Sequence, residues 1–206
     1  MKSNNKLFIS FEGPEASGKS SQIKLLANYL KKNKIPHLVT REPGGTKISE
    51  KLRKIILDKK TNISLKEEIL LLMSARLNHI NEIILPALER GKIVISDRFA
   101  DSTFVYQGYV NGYGLKNTIF LHKKLINNFL PNKTFLFLIP SKIINKRLKN
   151  RKITNKYDKQ NLNFHTKVIK GYSLLSKNNK RFYKIDGTKD IKLIHQEIIK
   201  KIFNNQ

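Results

Sequence analysis

Residues 10–21 read SFEGPEASGKSS, a glycine-spaced loop that closes on Lys19-Ser20-Ser21. Within it, Gly13-Pro14-Glu15-Ala16-Ser17-Gly18-Lys19-Ser20 fits the pattern G-x-x-x-x-G-K-[ST]. The spacing has a mechanical reason. Glycines let the backbone curl so that successive N–H groups point inward at phosphate, the lysine reaches the β and γ phosphates, and the following hydroxyl ligates Mg²⁺. The flanks agree. Lys6-Leu7-Phe8-Ile9-Ser10-Phe11 is an apolar run of strand length. Ile23, Leu25, Leu26 and Leu30 fall at helical spacing over 20–33, so bound phosphate would meet a helix N-terminus and its partial positive charge.

Outward from this loop, strands alternate with helices. Strands are expected at 36–40, 92–96, 135–139 and 182–185. Ile48, Leu52, Ile55 and Ile56 mark a helix over 47–57. Ser64 with Glu67 forms a capping box that opens a helix through Ile69, Leu72, Met73 and Leu77. A separate helix is expected over 80–89, ending at Arg90-Gly91. Such alternation gives a parallel sheet covered on both faces, with function in the crevice beyond the strands' C-terminal ends. Three polar segments fall there: the loop, Arg41-Glu42-Pro43-Gly44-Gly45-Thr46, and Asp97-Arg98. Taken alone, the second is an ordinary turn and the third a surface ion pair. Together they make a second phosphate site facing the first.

The chain has 206 residues and a formal net charge of +26, and cysteine is absent from it. One domain, with no disulfide framework, is the expectation. The five histidines are scattered and show no ligand spacing. The apolar runs 69–73 and 135–140 are too short to span a bilayer, and MKSNNK lacks the apolar stretch of a signal peptide. A cytoplasmic protein with no membrane partner is expected. Lysines are spread through the chain as part of a general bias toward Lys, Asn and Ile, so the charge is not read as a nucleic-acid surface.

Arg41-Glu42-Pro43-Gly44-Gly45-Thr46 together with Asp97-Arg98, Asp101-Ser102-Thr103 and Tyr106-Gln107-Gly108 closely resembles the thymidylate kinase family, in order and spacing over residues 6–186. The resemblance implies a P-loop NTPase fold of the α/β class: one domain over 1–206, a central parallel five-stranded sheet flanked by helices on both faces, and a short lid at about 147–160. It implies an ATP-dependent phosphotransferase that converts dTMP to dTDP, needs Mg²⁺ and forms a homodimer. Residues Gly13, Pro14, Glu15, Ala16, Ser17, Gly18, Lys19, Ser20 and Ser21 would bind ATP, with Ser20 at the metal and Asp97 near the metal or the acceptor phosphate of dTMP. Glu15 would also lie near the sugar 3′-hydroxyl, Arg98 on the acceptor phosphate and Arg41 close by. Arg76 would face the pyrimidine, Ser102 and Gln107 would read the base edge, and Tyr106 would crowd the 2′ position. Because Ala16 stands where some members carry a catalytic arginine, the chain resembles the bacterial subgroup whose arginine is in the lid. Arg147 and Arg151, four residues apart, are the candidates beside Lys19 and Arg98 for the catalytic cations.

Some positions depart from the family's pattern. Ala16 replaces a usual glycine, Leu72 a phenylalanine that stacks on thymine, Leu138 a common aspartate, and Asp158-Lys159 the usual Asp-Arg. Two rival readings are weaker. Asn155-Lys156-Tyr157-Asp158 matches a guanine-reading N-K-x-D motif, yet it follows a basic stretch instead of a strand and lacks a companion D-x-x-G. A basic ATPase acting on nucleic acid would be marked by salt-dependent DNA binding without ATP use stimulated by a nucleoside monophosphate.

Overall fold

The computed structural model describes residues 6–58, 60–149, 156–157 and 160–203. Five strands form one sheet: β1 (Phe8–Glu12), β2 (His37–Arg41), β3 (Ile93–Asp97), β4 (Lys133–Leu138) and β5 (Phe182–Asp186). All neighbours are parallel, in the order β2-β3-β1-β4-β5. The chain therefore switches sides of the sheet at β1, where a doubly wound sheet opens its crevice. Each strand lies within two residues of its expected span.

β1 reads FISFE and is buried throughout, the composition a central strand covered on both faces requires. Its side chains alternate: Ile9 and Phe11 join Leu26, Phe135, Phe137 and Ile198 on one face, while Phe8 joins Ile69, Met73, Val94 and Phe99 on the other. The first face is covered by α1 (Lys19–Lys32) and α9 (Ile191–Phe203). The other carries α3 (Leu65–His79), and α2 (Lys47–Leu57) packs against α3.

The capping box at Ser64 forms as expected: Ser64 N–H donates to Glu67 Oε2 at 2.6 Å and Glu67 N–H to Ser64 Oγ at 3.3 Å. The two helices expected over 64–77 and 80–89 are, however, one continuous rod. α3 passes through a π-helical turn, Ile80–Ile84, into α4 (Leu85–Glu89). Pro86 follows that turn and has no N–H to donate, so the wider register takes up the discontinuity that otherwise ends a helix. After β3, α5 (Ala100–Thr103) runs into a second π segment, Phe104–Val110, then α6 (Leu115–Leu125). α7 (Ser141–Lys149) and α8 (Leu162–Leu175) connect β4 to β5. Among the described residues, none of the helices is long and apolar enough to cross a membrane.

Candidate active site

The 13–18 loop leaves β1 and ends at α1. Gly13 has φ +133° and Gly18 φ +101°, and a Cβ on Gly13 would overlap the Phe137 carbonyl oxygen. Both glycines are thus required, one by closeness to β4 and both by backbone hand. Ala16 also lies in the left-handed region, at φ +54°. Lys19 is buried and folds back over the loop: Nζ donates to Pro14 O at 2.7 Å, Gly13 O at 3.1 Å and Ser17 Oγ at 3.3 Å. Burial, then the nearby charge of Arg98, lowers its pKa to about 8.

The end of β3 brings the second expected group to this loop. Ser20 Oγ donates to Asp97 Oδ2 at 3.0 Å, so a hydroxyl and a carboxylate 77 residues apart meet where an oxygen-seeking cation would sit. Arg98 follows at φ +68°. That conformation costs a non-glycine residue about 1–2 kcal/mol. It is held by its own N–H, donated to Phe11 O at 3.0 Å, and by Ser96 Oγ, donated to the Arg98 carbonyl at 2.6 Å. The strained turn aims the guanidinium at Glu15 Oε1, 2.8 Å away, and at Ser102 Oγ, 3.0 Å away. Tyr106 donates to both Glu15 oxygens, at 2.9 and 2.8 Å, and its ring lies 5.2 Å from the Arg98 guanidinium carbon.

Beneath this cluster lies Glu12, fully buried. It accepts from Phe99 N–H at 2.7 Å, Ser102 Oγ at 2.7 Å and Tyr172 OH at 2.8 Å. Burial, reinforced by the charge of Asp101, pushes its pKa up to about 7.

A second cluster lies beside the first. Arg76, 2 % exposed, donates from Nε to Glu42 Oε2 at 2.8 Å and from Nη2 to Thr103 Oγ1 at 2.8 Å. His79 Nδ1 is 3.0 Å from Glu42 Oε1. Burial alone would raise the Glu42 pKa, but Arg76 and His79 hold it below the usual carboxylate range. The carbonyl after Glu42, that of Pro43, accepts from Arg53 at 2.6 Å.

Two cavities meet here. The larger, about 540 Å³, runs from the loop and Ser20 past Arg41, Arg53 and Asp97 to Arg147. The smaller, about 60 Å³, is walled by Leu72, Arg76, Ser102, Thr103, Tyr106 and Gln107. Glu15, Glu42, Arg98 and Tyr157 form walls of both. The site is therefore bipartite, with a cradle for phosphates opening into a smaller, mainly apolar chamber that carries a few polar side chains.

A family profile described as thymidylate kinase matches residues 11–198. The chain belongs to the thymidylate kinase family. It is 43% identical over 194 residues to a thymidylate kinase of Thermoanaerobacter sp. (strain X514), covering 93% of this chain and 95% of that one. It is 44% identical over 201 residues to one of Wolbachia pipientis wMel, covering 95% of this chain and all of that one. The crystal structure of thymidylate kinase from Ehrlichia chaffeensis superposes with a TM-score of 0.76 at 33% identity, over 96% of this chain and 98% of that one.

Measured against the expectations from sequence, the fold brings nearly all the named residues to the two cavities. Leu72, Arg76, Ser102, Tyr106 and Gln107 share the small one. The Ser102 hydroxyl is engaged there by Glu12, Tyr172 and Arg98. Arg41 lies on the rim of the large cavity, exposed and paired with Glu50 at 3.0 Å. Arg147, on α7, is exposed and lays its guanidinium on the loop, donating to Ala16 O at 3.1 Å and Gly187 O at 3.2 Å. Arg151 and Asp158-Lys159, with most of the expected lid, lie outside the described residues. Leu138 packs with Tyr157 and Tyr172 in a small apolar cluster.

Five residues of the site were not singled out from sequence. Glu42 and Thr103 stood inside quoted motifs without a role, and their burial would have been the signal. Glu12, Glu68 and Tyr172 carry no local signal, because their partners are 39 to 160 residues away.

Proposed function

We propose that this chain transfers the γ-phosphoryl group of ATP to dTMP, giving dTDP and ADP, with ATP in the large cavity and the acceptor nucleoside in the small one. The observation that carries the reading is the shared wall. Arg98 and Glu15 border both cavities, so a group that passes from donor to acceptor does so beneath one fixed guanidinium. Phosphoryl transfer spreads negative charge over the moving oxygens and asks for positioning and fixed positive charge more than for a side-chain base.

In this reading the loop amides from Gly13 to Ser21 hold the donor phosphates, and Lys19 swings from the loop carbonyls onto the β and γ oxygens. Arg98 grips the acceptor phosphate, and Arg147, already over the loop, closes on the transferring group, with Arg151 as the further lid candidate. Glu15, fixed by Arg98 and Tyr106, sits where a sugar hydroxyl would be read. Tyr106 closes the space beside it to a 2′-hydroxyl. Arg76, Ser102 and Gln107 face the base, with Leu72 as its apolar wall, and Arg41 guards the entrance.

The donor set suits Mg²⁺. Among the described residues there is no cluster of three acidic or histidine ligands, and Mg²⁺ is commonly held by one or two protein oxygens plus substrate phosphates. Ser20 and Asp97 would hold it, and when bound it neutralises charge on the β and γ oxygens. The reading includes a cytoplasmic homodimer. Ile48 and Ile55 on α2, Leu70 and Leu77 on α3, and Phe120 on α6 leave apolar surface for a second copy of this chain.

The test is ADP release from Mg-ATP with dTMP, dUMP, dCMP, dGMP, AMP or no acceptor. Strong stimulation by dTMP is expected. Absence of stimulation by dTMP overturns the assignment.

A further inference from the structure

The amide of Gln107 is held in one orientation. Its Nε2 donates to Glu68 Oε1 at 2.9 Å and to Tyr157 OH at 3.0 Å. Tyr157 OH in turn donates to the same Glu68 oxygen at 2.7 Å, and Lys156 Nζ lies 2.9 Å from it. The polarity of this chain is forced. A carboxylate facing an ammonium only accepts, so the phenol proton points at Glu68 and the phenol lone pairs face Gln107. Both neighbours of the amide thus demand its NH₂ end. Gln107, 2 % exposed, is left with its carbonyl oxygen as the group for the small cavity, and no described residue hydrogen-bonds that oxygen.

We propose that Glu68 and Tyr157 are positioning residues for base selection: they fix Gln107 with its carbonyl oxygen toward the base, so that the site accepts pyrimidines carrying N3–H and rejects those whose N3 is a lone pair. Thymine and uracil present an imide N–H to such an acceptor. Cytosine presents an acceptor to an acceptor, and a site built to receive a hydrogen bond rejects a ligand that cannot give one, because both polar groups are then buried unpaired. Leu72, purely apolar, offers the base contact without hydrogen-bond readout, which leaves this discrimination to the polar wall.

This inference rests on dTMP being the acceptor, and the experiment separates the two. Steady-state kcat/KM is measured for dTMP, dUMP, dCMP and N3-methyl-dTMP with the wild type, Glu68→Met and Tyr157→Phe. Wild type is expected to use dTMP and dUMP and to lose activity on N3 methylation. Glu68→Met frees the phenol to donate, so the amide can turn, and the dTMP/dCMP and dTMP/N3-methyl ratios are expected to fall about tenfold or more. The dTMP/dUMP ratio is expected to stay constant, because N3–H is common to both, whereas a general loss of packing would move all ratios or none. Tyr157→Phe keeps the ring and removes one of the two acceptors, for an expected fall of about threefold, and it decides the matter if Glu68→Met does not fold. Unchanged dTMP/dCMP and dTMP/N3-methyl ratios in a folded variant overturn this inference alone. A wild type that does not use dTMP overturns the functional reading beneath it.

Discussion

The two halves of the site are built by different means. The donor half is mostly backbone: a loop of nine consecutive residues, shaped by glycine and by the close approach of β4, with α1 directly behind it. The acceptor half is mostly side chains drawn from β1, the turns just after β2 and β3, α3, α5, the second π segment, residues 156–157 and α8. Backbone donors are fixed by local conformation and tolerate change in the side chains around them. A side-chain network in a low-dielectric interior depends on every member, because each lost partner leaves a buried group unsatisfied.

That contrast is sharpest where the halves meet. Lys19→Ala and Arg98→Ala are each expected to lower kcat for dTMP by about 10³-fold or more while far-UV circular dichroism shows a retained fold; Arg98→Ala also lowers the melting temperature, because it strips the buried Glu15 of its ion pair. Lys19 is a buried cation held mainly by carbonyls, so its loss does not strip a carboxylate of its partner. Full turnover in either variant breaks the assignment of that residue.

On the acceptor side, Glu42→Ala is expected to act on stability as well as activity. It leaves the buried guanidinium of Arg76 without its counter-ion, at a cost of about 3–5 kcal/mol, read as a shift in the urea midpoint. A change below about 1 kcal/mol would mean that water reaches this pair.

Glu12→Gln is expected to alter how stability depends on pH. The folded carboxyl titrates near 7, against a reference value of 4.5. The folded pKa is the higher one, so this group's contribution is fully present below about pH 4.5 and is lost as pH rises through 7, an amplitude of about 3 kcal/mol. The wild-type minus variant difference in unfolding free energy should fall across that window. The buried pair at Glu42 cannot mimic this, because its pKa is shifted the other way and its contribution is lost toward low pH. A flat difference curve between pH 4.5 and 7 overturns the reading of Glu12.

The smallest effect belongs to the donor loop. At Ala16, φ +54° imposes left-handed strain that glycine lacks. Ala16→Gly relieves about 1 kcal/mol of it, against a backbone-entropy cost of about 0.5–1 kcal/mol. Net stability is expected to stay within about 0.5 kcal/mol of wild type, and thermal melting checks it. A clear destabilisation would mean that the alanine methyl contributes packing against Ile144 and its cluster.

The sheet and the phosphate loop were legible in the sequence because their causes are local: apolar runs of strand length, a glycine spacing, a capping box. The continuity of α3 and α4 through a π turn was not, because the wider turn over Ile80–Ile84 shifts the helical register and separates the two apolar spacings along the chain. Arg147 read as either a lid cation or an exposed charge, and its reach to the Ala16 and Gly187 carbonyls is a contact that only the folded chain shows.

Sequence by itself determined the parallel α/β architecture, the phosphate cradle and the family, since each follows from periodicity, from backbone chemistry or from motifs read along the chain. Only the tertiary structure decided that Glu12 lies beneath Arg98 and that Glu68 and Tyr157 hold Gln107. Those arrangements are polar contacts to side chains whose partners lie 39 to 160 residues away. Their partners become neighbours only after the sheet and its helices have packed, and the burial that makes them strong is itself a product of that packing.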